Sequence, residues 1–164
     1  MLICGSKKGK IFIYQLATGQ LIAEVPNAHY LAINDLALSH ASDAARQADL
    51  IVTGGADSKV KIWSLSALLS HSTAPSDCCY HEFGEHTAPV TSVQFSYGAS
   101  LERAFSASLD KTFKVYDLPS KLVLLTIQLS SPASHLSVDQ LESSAFIACD
   151  NLNVYQMPLL RNQQ

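Results

Sequence analysis

The chain is predicted to be all-β, a partial β-propeller of about three to four blades whose terminal blades are incomplete. A nine-residue pattern occurs twice, at residues 55–63 and 108–116. In each copy an Asp precedes an aromatic residue by six positions, and apolar and polar residues alternate up to that aromatic residue. Alternation of this kind after a small polar turn is typical of a half-buried β-strand.

Two fainter copies, at residues 5–14 and 148–155, bring the number of units to four. Their aromatic residues are separated by 49, 53 and 39 residues, and they are Tyr14, Trp63, Tyr116 and Tyr155. These spacings bracket the roughly 40 to 45 residues of a four-stranded propeller blade with loop insertions. The period therefore favours a propeller over a solenoid.

The pattern divides the chain into four units: a partial blade at 1–28, a blade with long loops at 29–85, a blade at 86–130 and a partial blade at 131–164. Met1 would lie inside the second strand of its blade, and Gln164 would follow the third strand of the last one. Because closed propellers usually carry about 4 to 8 blades, we expect a segment of a longer propeller.

The strands of the two central units follow from the same pattern. In the second unit strands are expected at 33–38, 50–54 and 60–65, and in the third at 90–95, 103–107, 113–118 and 122–129. Their apolar runs suit sheets that neighbouring blades cover on both faces. Two polar insertions, 39–49 and 66–84, are predicted to be surface loops, with single helical turns at 41–47 and 66–69.

Composition bounds the class of protein. The 164 residues are 48% hydrophobic and 15% charged, as in an ordinary soluble domain, and the net charge of -3 offers no global attraction to nucleic acid or to an anionic membrane. The chain has no apolar run of about 18 residues, and its start lacks the features of a signal peptide. The four cysteines show no disulfide spacing, so we expect a reducing compartment, cytosolic or nuclear.

Two clusters that resemble ligand sites fail on their spacing. Residues 5–10 are rich in Gly and Lys, but a phosphate loop needs four residues between its glycines, a Ser or Thr after its Lys, and a following helix. A loop carries a second cluster, Cys78, Cys79, His81 and His86. Adjacent cysteines tend to diverge, whereas zinc ligands usually lie two to four residues apart. We predict neither a cofactor nor a metal.

The sequence also shows no signature of an enzyme. No nucleophile elbow of the form Gly-x-Ser-x-Gly occurs. We therefore predict neither catalysis nor a small-molecule substrate.

Lysines recur beside the turns between the second and third strands of the units, as Lys7, Lys8, Lys59 and Lys111. In a propeller those turns share one face, so the lysines are candidate contacts to an acidic partner or to RNA phosphate. Solvated turns explain the same residues, and both interpretations stay open.

Four aromatic residues lie in or beside the predicted loops: Tyr30, Tyr80, Phe83 and Tyr97. Rings in such positions either anchor a partner or cover the ends of the blades.

The chain resembles the WD40 family. That family joins a His before the first strand, a Ser or Thr in the second, an Asp in the following turn and a Trp in the third as a hydrogen-bonded structural tetrad. The third unit matches with His86, Ser108 and Asp110, and Tyr116 stands in place of the Trp. The second unit matches with His29, Asp57 and Trp63, and Gly55 stands where the hydroxyl is expected. The resemblance thus implies that each tetrad lacks one member.

A narrower resemblance covers about half of the chain. Trp63 is followed by Ser-Leu and a long loop, and later come Pro-Val-Thr-Ser-Val at 89–93 and Ser-Leu-Asp-Lys-Thr at 108–112. In these features the chain is similar to the Ipi-three family of WD-repeat pre-rRNA-processing proteins, subunits of the rixosome complex.

This resemblance implies a non-enzymatic scaffold in pre-rRNA processing and assembly of the 60S ribosomal subunit, located in the nucleolus or nucleoplasm. It also implies protein partners in a multi-subunit pre-60S-associated complex, among them a large helical-repeat scaffold, with any RNA contact weak or indirect and with no membrane. The alternative is a WD40 peptide-reading adaptor, such as a ubiquitin-ligase substrate receptor. Such an adaptor needs an arginine cluster, and the chain has only Arg46, Arg103 and Arg161.

Overall fold

The computed structural model describes residues 1–39, 50–70, 78–96, 103–139 and 143–159. They form four antiparallel sheets. The first sheet contains β1 (Leu2–Gly5), β2 (Ile11–Tyr14) and β3 (Leu21–Val25). The second contains β4 (Ile33–Leu38), β5 (Leu50–Gly55), β6 (Val60–Ser64) and β7 (Cys79–Phe83), with the short helix α1 (Leu65–Leu69) after β6. The third contains β8 (Val90–Phe95), β9 (Arg103–Ser108), β10 (Thr112–Asp117) and β11 (Leu122–Gln128), and the fourth β12 (Ala133–Val138), β13 (Ser144–Cys149) and β14 (Val154–Pro158).

Each sheet is a simple meander in which neighbouring strands are consecutive in the chain. The first strands of the second, third and fourth sheets lie side by side, because β8 contacts both β4 and β12. Repetition of one meander with its first strand innermost is the architecture of a propeller blade. The described sheets do not close into a ring, so the predicted partial β-propeller is confirmed.

Three apolar clusters fill the spaces between successive sheets. The side chains of β5 alternate, so that Ile51 packs towards the first sheet and Val52 towards the third. On β9, Ala104 packs towards the second sheet and Phe105 towards the fourth. The two central sheets are therefore apolar on both faces, which explains their nearly continuous hydrophobic strands.

The same turn occurs once in each of the four sheets, between β1 and β2, β5 and β6, β9 and β10, and β13 and β14. A residue with φ between 65° and 70° stands at one equivalent position, occupied by Gly9, Ser58, Lys111 and Leu152. Its amide donates to the carbonyl three residues earlier, as from Leu152 to Cys149 and from Lys111 to Ser108. Residues of the strands that follow this turn, β2, β6, β10 and β14, can therefore be compared position by position, counting from the turn.

The register corrects one of the predicted repeat positions. Counted from the turn, the residue equivalent to Trp63 and Tyr116 in the fourth sheet is Met157 rather than Tyr155. The assignment of Tyr155 was wrong because Tyr155 follows the turn residue Leu152 by three positions, whereas Trp63 and Tyr116 follow theirs by five. Tyr155 pairs across the sheet with Ile147, as Lys114 pairs with Ser106. Met157 packs against the core of the fourth sheet, so the repeat keeps an apolar residue there but not an aromatic one.

The predicted strands of the central units are confirmed to within one or two residues, and one strand was missed. Residues 79–83, predicted as part of a loop, form β7 and pair with β6. The helical turn predicted at 66–69 is present as α1, whose Leu65 and Leu68 are buried. The turn predicted at 41–47 lies outside the described residues. The division into four units at residues 28, 85 and 130 stays a prediction.

Candidate functional site

Four side chains at the second sheet form a continuous hydrogen-bonded chain. His29 Nδ1 lies 2.9 Å from Asp57 Oδ1, and His29 Nε2 lies 2.7 Å from Thr53 Oγ1. Trp63 Nε1 donates to the same hydroxyl at 2.9 Å. The connection preceding β4, strand β5, the turn after it and strand β6 are thereby tied together.

The third sheet repeats this arrangement with one different donor. His86 Nδ1 lies 2.7 Å from Asp110 Oδ2, and His86 Nε2 lies 2.6 Å from Ser106 Oγ. The hydroxyl of Tyr116 lies 3.0 Å from Ser106 Oγ, where Trp63 offers its indole N–H in the second sheet. Each tetrad therefore has all four members in this structure, contrary to the expectation that each lacks one.

The two hydroxyls were predicted two residues too late in the sequence. Ser108 was expected to supply the hydroxyl of the third tetrad, but Ser106, two residues further into β9 on the same face, supplies it. Ser108 Oγ instead donates to the carbonyl of Pro89 at 2.9 Å and accepts from the amide of Asp110 at 3.1 Å. Ser108 thus fixes the turn that carries Asp110.

Gly55 is likewise not the site of a missing hydroxyl. A Cβ built at Gly55 would overlap Asp57 Oδ1 and His29 Nδ1. Glycine at this position leaves the space in which the His29–Asp57 hydrogen bond forms, and Thr53 supplies the hydroxyl from two residues earlier.

Burial sets the protonation of the tetrads. It lowers the pKa of His29 and of His86 below the ordinary value of 6.5, although the neighbouring carboxylates act in the opposite direction. Burial alone would raise the pKa of Asp57, but hydrogen bonds from His29 and from the Tyr30 amide lower it below the ordinary value. Both pKa directions agree with a neutral imidazole beside an ionised carboxylate. The imidazole then donates from Nδ1 to the carboxylate and accepts at Nε2 from the hydroxyl.

This order of hydroxyl, imidazole and carboxylate is also that of a nucleophilic triad. The Ser106 side chain is 0% exposed, and its oxygen already contacts both His86 and Tyr116. Thr53 is equally buried and receives the Trp63 N–H. A nucleophile must reach its substrate, so these hydroxyls serve the architecture of the blades.

The fourth sheet has apolar residues at three of the four tetrad positions. The positions equivalent to His86, Ser106 and Tyr116 are occupied by Leu129, Ile147 and Met157. Leu129 and Ile147 are buried in the same cluster, against which Met157 packs. Asn151 stands at the position of Asp110 and donates to Ser130 Oγ at 3.4 Å, so the imidazole, hydroxyl and ring are replaced together by apolar groups that leave no buried polar atom unpaired.

The first sheet departs from the pattern in its charge. Lys8 stands at the position of Asp57 and Asp110, and Cys4 at the position of the hydroxyl. Lys8 is exposed. The turn that bears a carboxylate in the central blades therefore bears a cation here.

The predicted lysines all lie at these turns, with different surroundings. Lys7, Lys8 and Lys111 are exposed. The Lys59 ammonium lies 3.0 Å from the Glu82 carboxylate, which also pairs with Lys61 at 3.0 Å. A shallow groove brings Lys8 and Lys59 together beside Tyr30, between the turns of the first and second sheets. Lys7 and Lys111 do not line it.

The predicted loop aromatics divide between surface and core. Tyr30 is 89% exposed. Phe83 is buried at the end of β7, with its ring 4.3 Å from that of Tyr116. Tyr80 lies on β7 beneath the Lys121 ammonium at 4.7 Å. Tyr97 lies outside the described residues.

The remaining ligand-like clusters are part of the fold. Residues 5–10 form the turn between β1 and β2, so a strand follows where a phosphate loop needs a helix. Cys78 is buried against α1, whereas Cys79 and His81 belong to β7 and His86 to a tetrad. Within the described ranges no group of three or more His, Cys, Asp or Glu could hold a metal ion. In the same ranges no helix is long and apolar enough to cross a membrane.

Curated proteins align with nearly the whole chain. The Pre-rRNA-processing protein IPI3 of Yarrowia lipolytica is 31% identical over 94% of this chain and 34% of its own length. The Pre-rRNA-processing protein IPI3 of Candida albicans is 28% identical over 97% of the chain and 31% of its own length. Human WD repeat-containing protein 18 is 24% identical over 91% of the chain and 33% of its own length. The chain thus spans about a third of the length of these relatives.

A family model agrees with the repeat geometry. The model described as "WD domain, G-beta repeat" matches residues 19–64 and 77–117, more than half of the chain. Both tetrads lie inside the matched segments. The four meander sheets, the shared turn and the two complete tetrads are those expected of this family, and the chain belongs to the WD40 family.

Proposed function

We propose that the chain is a non-enzymatic WD40 scaffold that acts in pre-rRNA processing and assembly of the 60S ribosomal subunit. The observation that carries the proposal is the alignment of pre-rRNA-processing proteins over 94% and 97% of this chain. These relatives are about three times as long as this chain. We therefore extend the activity of the whole protein to this chain as part of the proposal.

The chemistry of the described residues supports a scaffold. The side chains that resemble a catalytic triad are buried and are used up in holding strands together. Exposed residues lie instead on the turns and on the outer strands, as with Tyr30, Leu122 and Leu124. A surface of this kind suits contact with other macromolecules rather than conversion of a small molecule.

We also propose where the protein acts and with which kind of partner. The protein works in the nucleus, in the nucleolus or nucleoplasm, where precursors of ribosomal RNA are processed. Its partners are proteins of a multi-subunit pre-60S-associated complex. The named relatives support this place of action, because their names assign them to pre-rRNA processing.

Affinity purification tests the proposal. The protein is tagged in the cells that encode it and purified from nuclear extract, and the co-purified RNA is probed for precursors of the large-subunit and small-subunit rRNAs. We expect enrichment of the large-subunit precursors, with the small-subunit precursors at the level of an untagged control. Equal enrichment of both classes, or recovery of neither, would overturn the proposal.

A further inference from the structure

The groove between the first two sheets combines two departures from the repeat. Lys8 replaces the turn aspartate that Asp57 and Asp110 represent in the central sheets. Tyr30 replaces a small hydroxyl residue, since Thr87 stands at the equivalent position of the next blade. Neither departure serves the packing of the blades, because both side chains are exposed, yet the two residues line one groove.

Hydrogen bonds fix the backbone that carries the Tyr30 ring. The Tyr30 amide donates to Asp57 Oδ2 at 2.9 Å, and Asp57 is itself held by His29. The His29 amide donates to the Gly9 carbonyl at 2.9 Å, which links this segment to the turn that carries Lys8. The ring is nevertheless 89% exposed. A rigid backbone thus presents a bare aromatic face to solvent.

The groove is lined by three lysines, Lys8, Lys59 and Lys61, and by two carboxylates, Asp57 and Glu82. Asp57 is committed to His29 and to the amides of Tyr30 and Lys59. The single Glu82 carboxylate is shared by Lys59 and Lys61. No carboxylate in the described part of the chain lies within ion-pair distance of Lys8. The groove therefore offers one ammonium without a counter-ion and two that share one.

We propose that this groove binds single-stranded RNA, with a base stacked on Tyr30 and the adjacent phosphates at Lys8 and Lys59. One nucleotide supplies both features that the groove lacks, a flat π-surface for the exposed ring and an anion for the lysines. An acidic peptide would satisfy only the lysines. The net charge of -3 limits the contact to this local patch, so binding is weak and sensitive to salt.

The inference deepens the proposed function by naming an RNA-contacting surface, and it rests on that function for the identity of the RNA. The stacking and phosphate contacts are independent of which RNA supplies them.

Fluorescence anisotropy tests the groove directly. The 164-residue chain is titrated against a fluorescein-labelled uridine 12-mer at low salt, with folding of each variant checked by circular dichroism. Tyr30→Ala should weaken binding by about tenfold, whereas Tyr30→Phe, which keeps the ring, should bind like the parent chain. Tyr80→Ala is the matched control, because Tyr80 is 43% exposed but lies outside the groove.

The salt dependence tests the phosphate contact. Lys8→Gln should reduce the slope of log affinity against log salt by about 0.7, the share of one phosphate of a single strand. Lys10→Gln is its control, because Lys10 lies two residues away but pairs with Glu24 at 2.7 Å. An unchanged slope for Lys8→Gln would count against the phosphate contact.

Three results would overturn the inference: no binding of the uridine 12-mer, equal binding by Tyr30→Ala, or tighter Tyr30-dependent binding of a glutamate 12-mer peptide. Failure here is distinguishable from failure of the proposed function. If the tagged Tyr30→Ala protein still recovers large-subunit precursors while the parent chain binds no RNA, the RNA groove falls and the scaffold stands.

Discussion

Trp63 Nε1 donates a hydrogen bond of 2.9 Å to the hydroxyl of Thr53, which lies ten residues earlier on the neighbouring strand. The same hydroxyl lies 2.7 Å from His29 Nε2, so one buried oxygen joins the third strand of the blade to the connection before its first. Ser106 occupies this central place in the next blade, between Tyr116 and His86. The stability of both blades therefore depends on one hydroxyl each.

The central position of Ser106 predicts unequal costs for its removal and for the removal of its neighbour. Ser106→Ala leaves the buried Tyr116 hydroxyl and His86 Nε2 without a partner, and should lower the free energy of unfolding by roughly 2 to 4 kcal/mol. Tyr116→Phe leaves the His86–Ser106 contact in place and should cost only about 1 kcal/mol. Urea unfolding followed by circular dichroism measures both, and equal costs would contradict the central role of Ser106.

The sequence pattern located three members of each tetrad but misplaced the fourth. His29, Asp57 and Trp63 stand out because their residue types are uncommon at those points of a β-repeat. Thr53 and Ser106 are ordinary strand residues, and the positions two residues later, Gly55 and Ser108, lie on the same strand faces. Alternation therefore does not choose between the two positions, and the hydrogen bonds to His29 and His86 do.

The burial of the imidazoles predicts a loss of stability in mild acid. The pKa values of His29 and His86 are lower in the folded protein than the ordinary 6.5, so the unfolded chain binds more protons below that pH. The free energy of unfolding should therefore be constant between about pH 7.5 and 8 and decrease as the pH falls through 6.5. The lowered pKa values of Asp57 and Asp110 add a second loss below their ordinary 3.8.

Substitution of one imidazole checks this origin. His86→Gln should lower stability at about pH 7.5 but should reduce the further loss between about pH 7.5 and 5.5. His135→Gln is the control, because His135 is exposed on β12 and belongs to neither tetrad. A parent chain whose stability is flat between those two pH values would refute the buried neutral imidazoles.

Two glycines with left-handed backbones should respond differently to alanine. Gly9 and Gly19 have φ of 70° and 69°, so each substitution carries the conformational cost of about 1 kcal/mol. A Cβ at Gly9 would also overlap the backbone carbonyl of His29, whereas a Cβ at Gly19 meets nothing within 4 Å. Gly9→Ala should therefore cost about 3 kcal/mol or more and Gly19→Ala about 1 kcal/mol, measured by thermal unfolding. Similar costs would show that the Gly9 turn does not pack against His29.

The strands of the central blades were predictable because their apolar residues run nearly continuously between polar turns, and the outer parts were less so. β7 has the sequence Cys-Tyr-His-Glu-Phe, in which only Phe83 is fully buried. Such a strand gains its place from pairing with β6 and from the contact of Phe83 with Tyr116, neither of which its own composition reveals. The groove was equally hidden, because it joins Lys8 and Tyr30 from different units.

Depletion of the protein tests its proposed role in assembly of the large ribosomal subunit. Newly made ribosomal RNA is labelled after depletion, and the precursors and mature species of both subunits are separated and quantified. We expect precursors of the large-subunit rRNAs to accumulate and new large subunits to decrease, with small subunits unaffected, and we expect Ser106→Ala to rescue less well than Tyr116→Phe. Normal processing of the large-subunit precursors in depleted cells would refute this role.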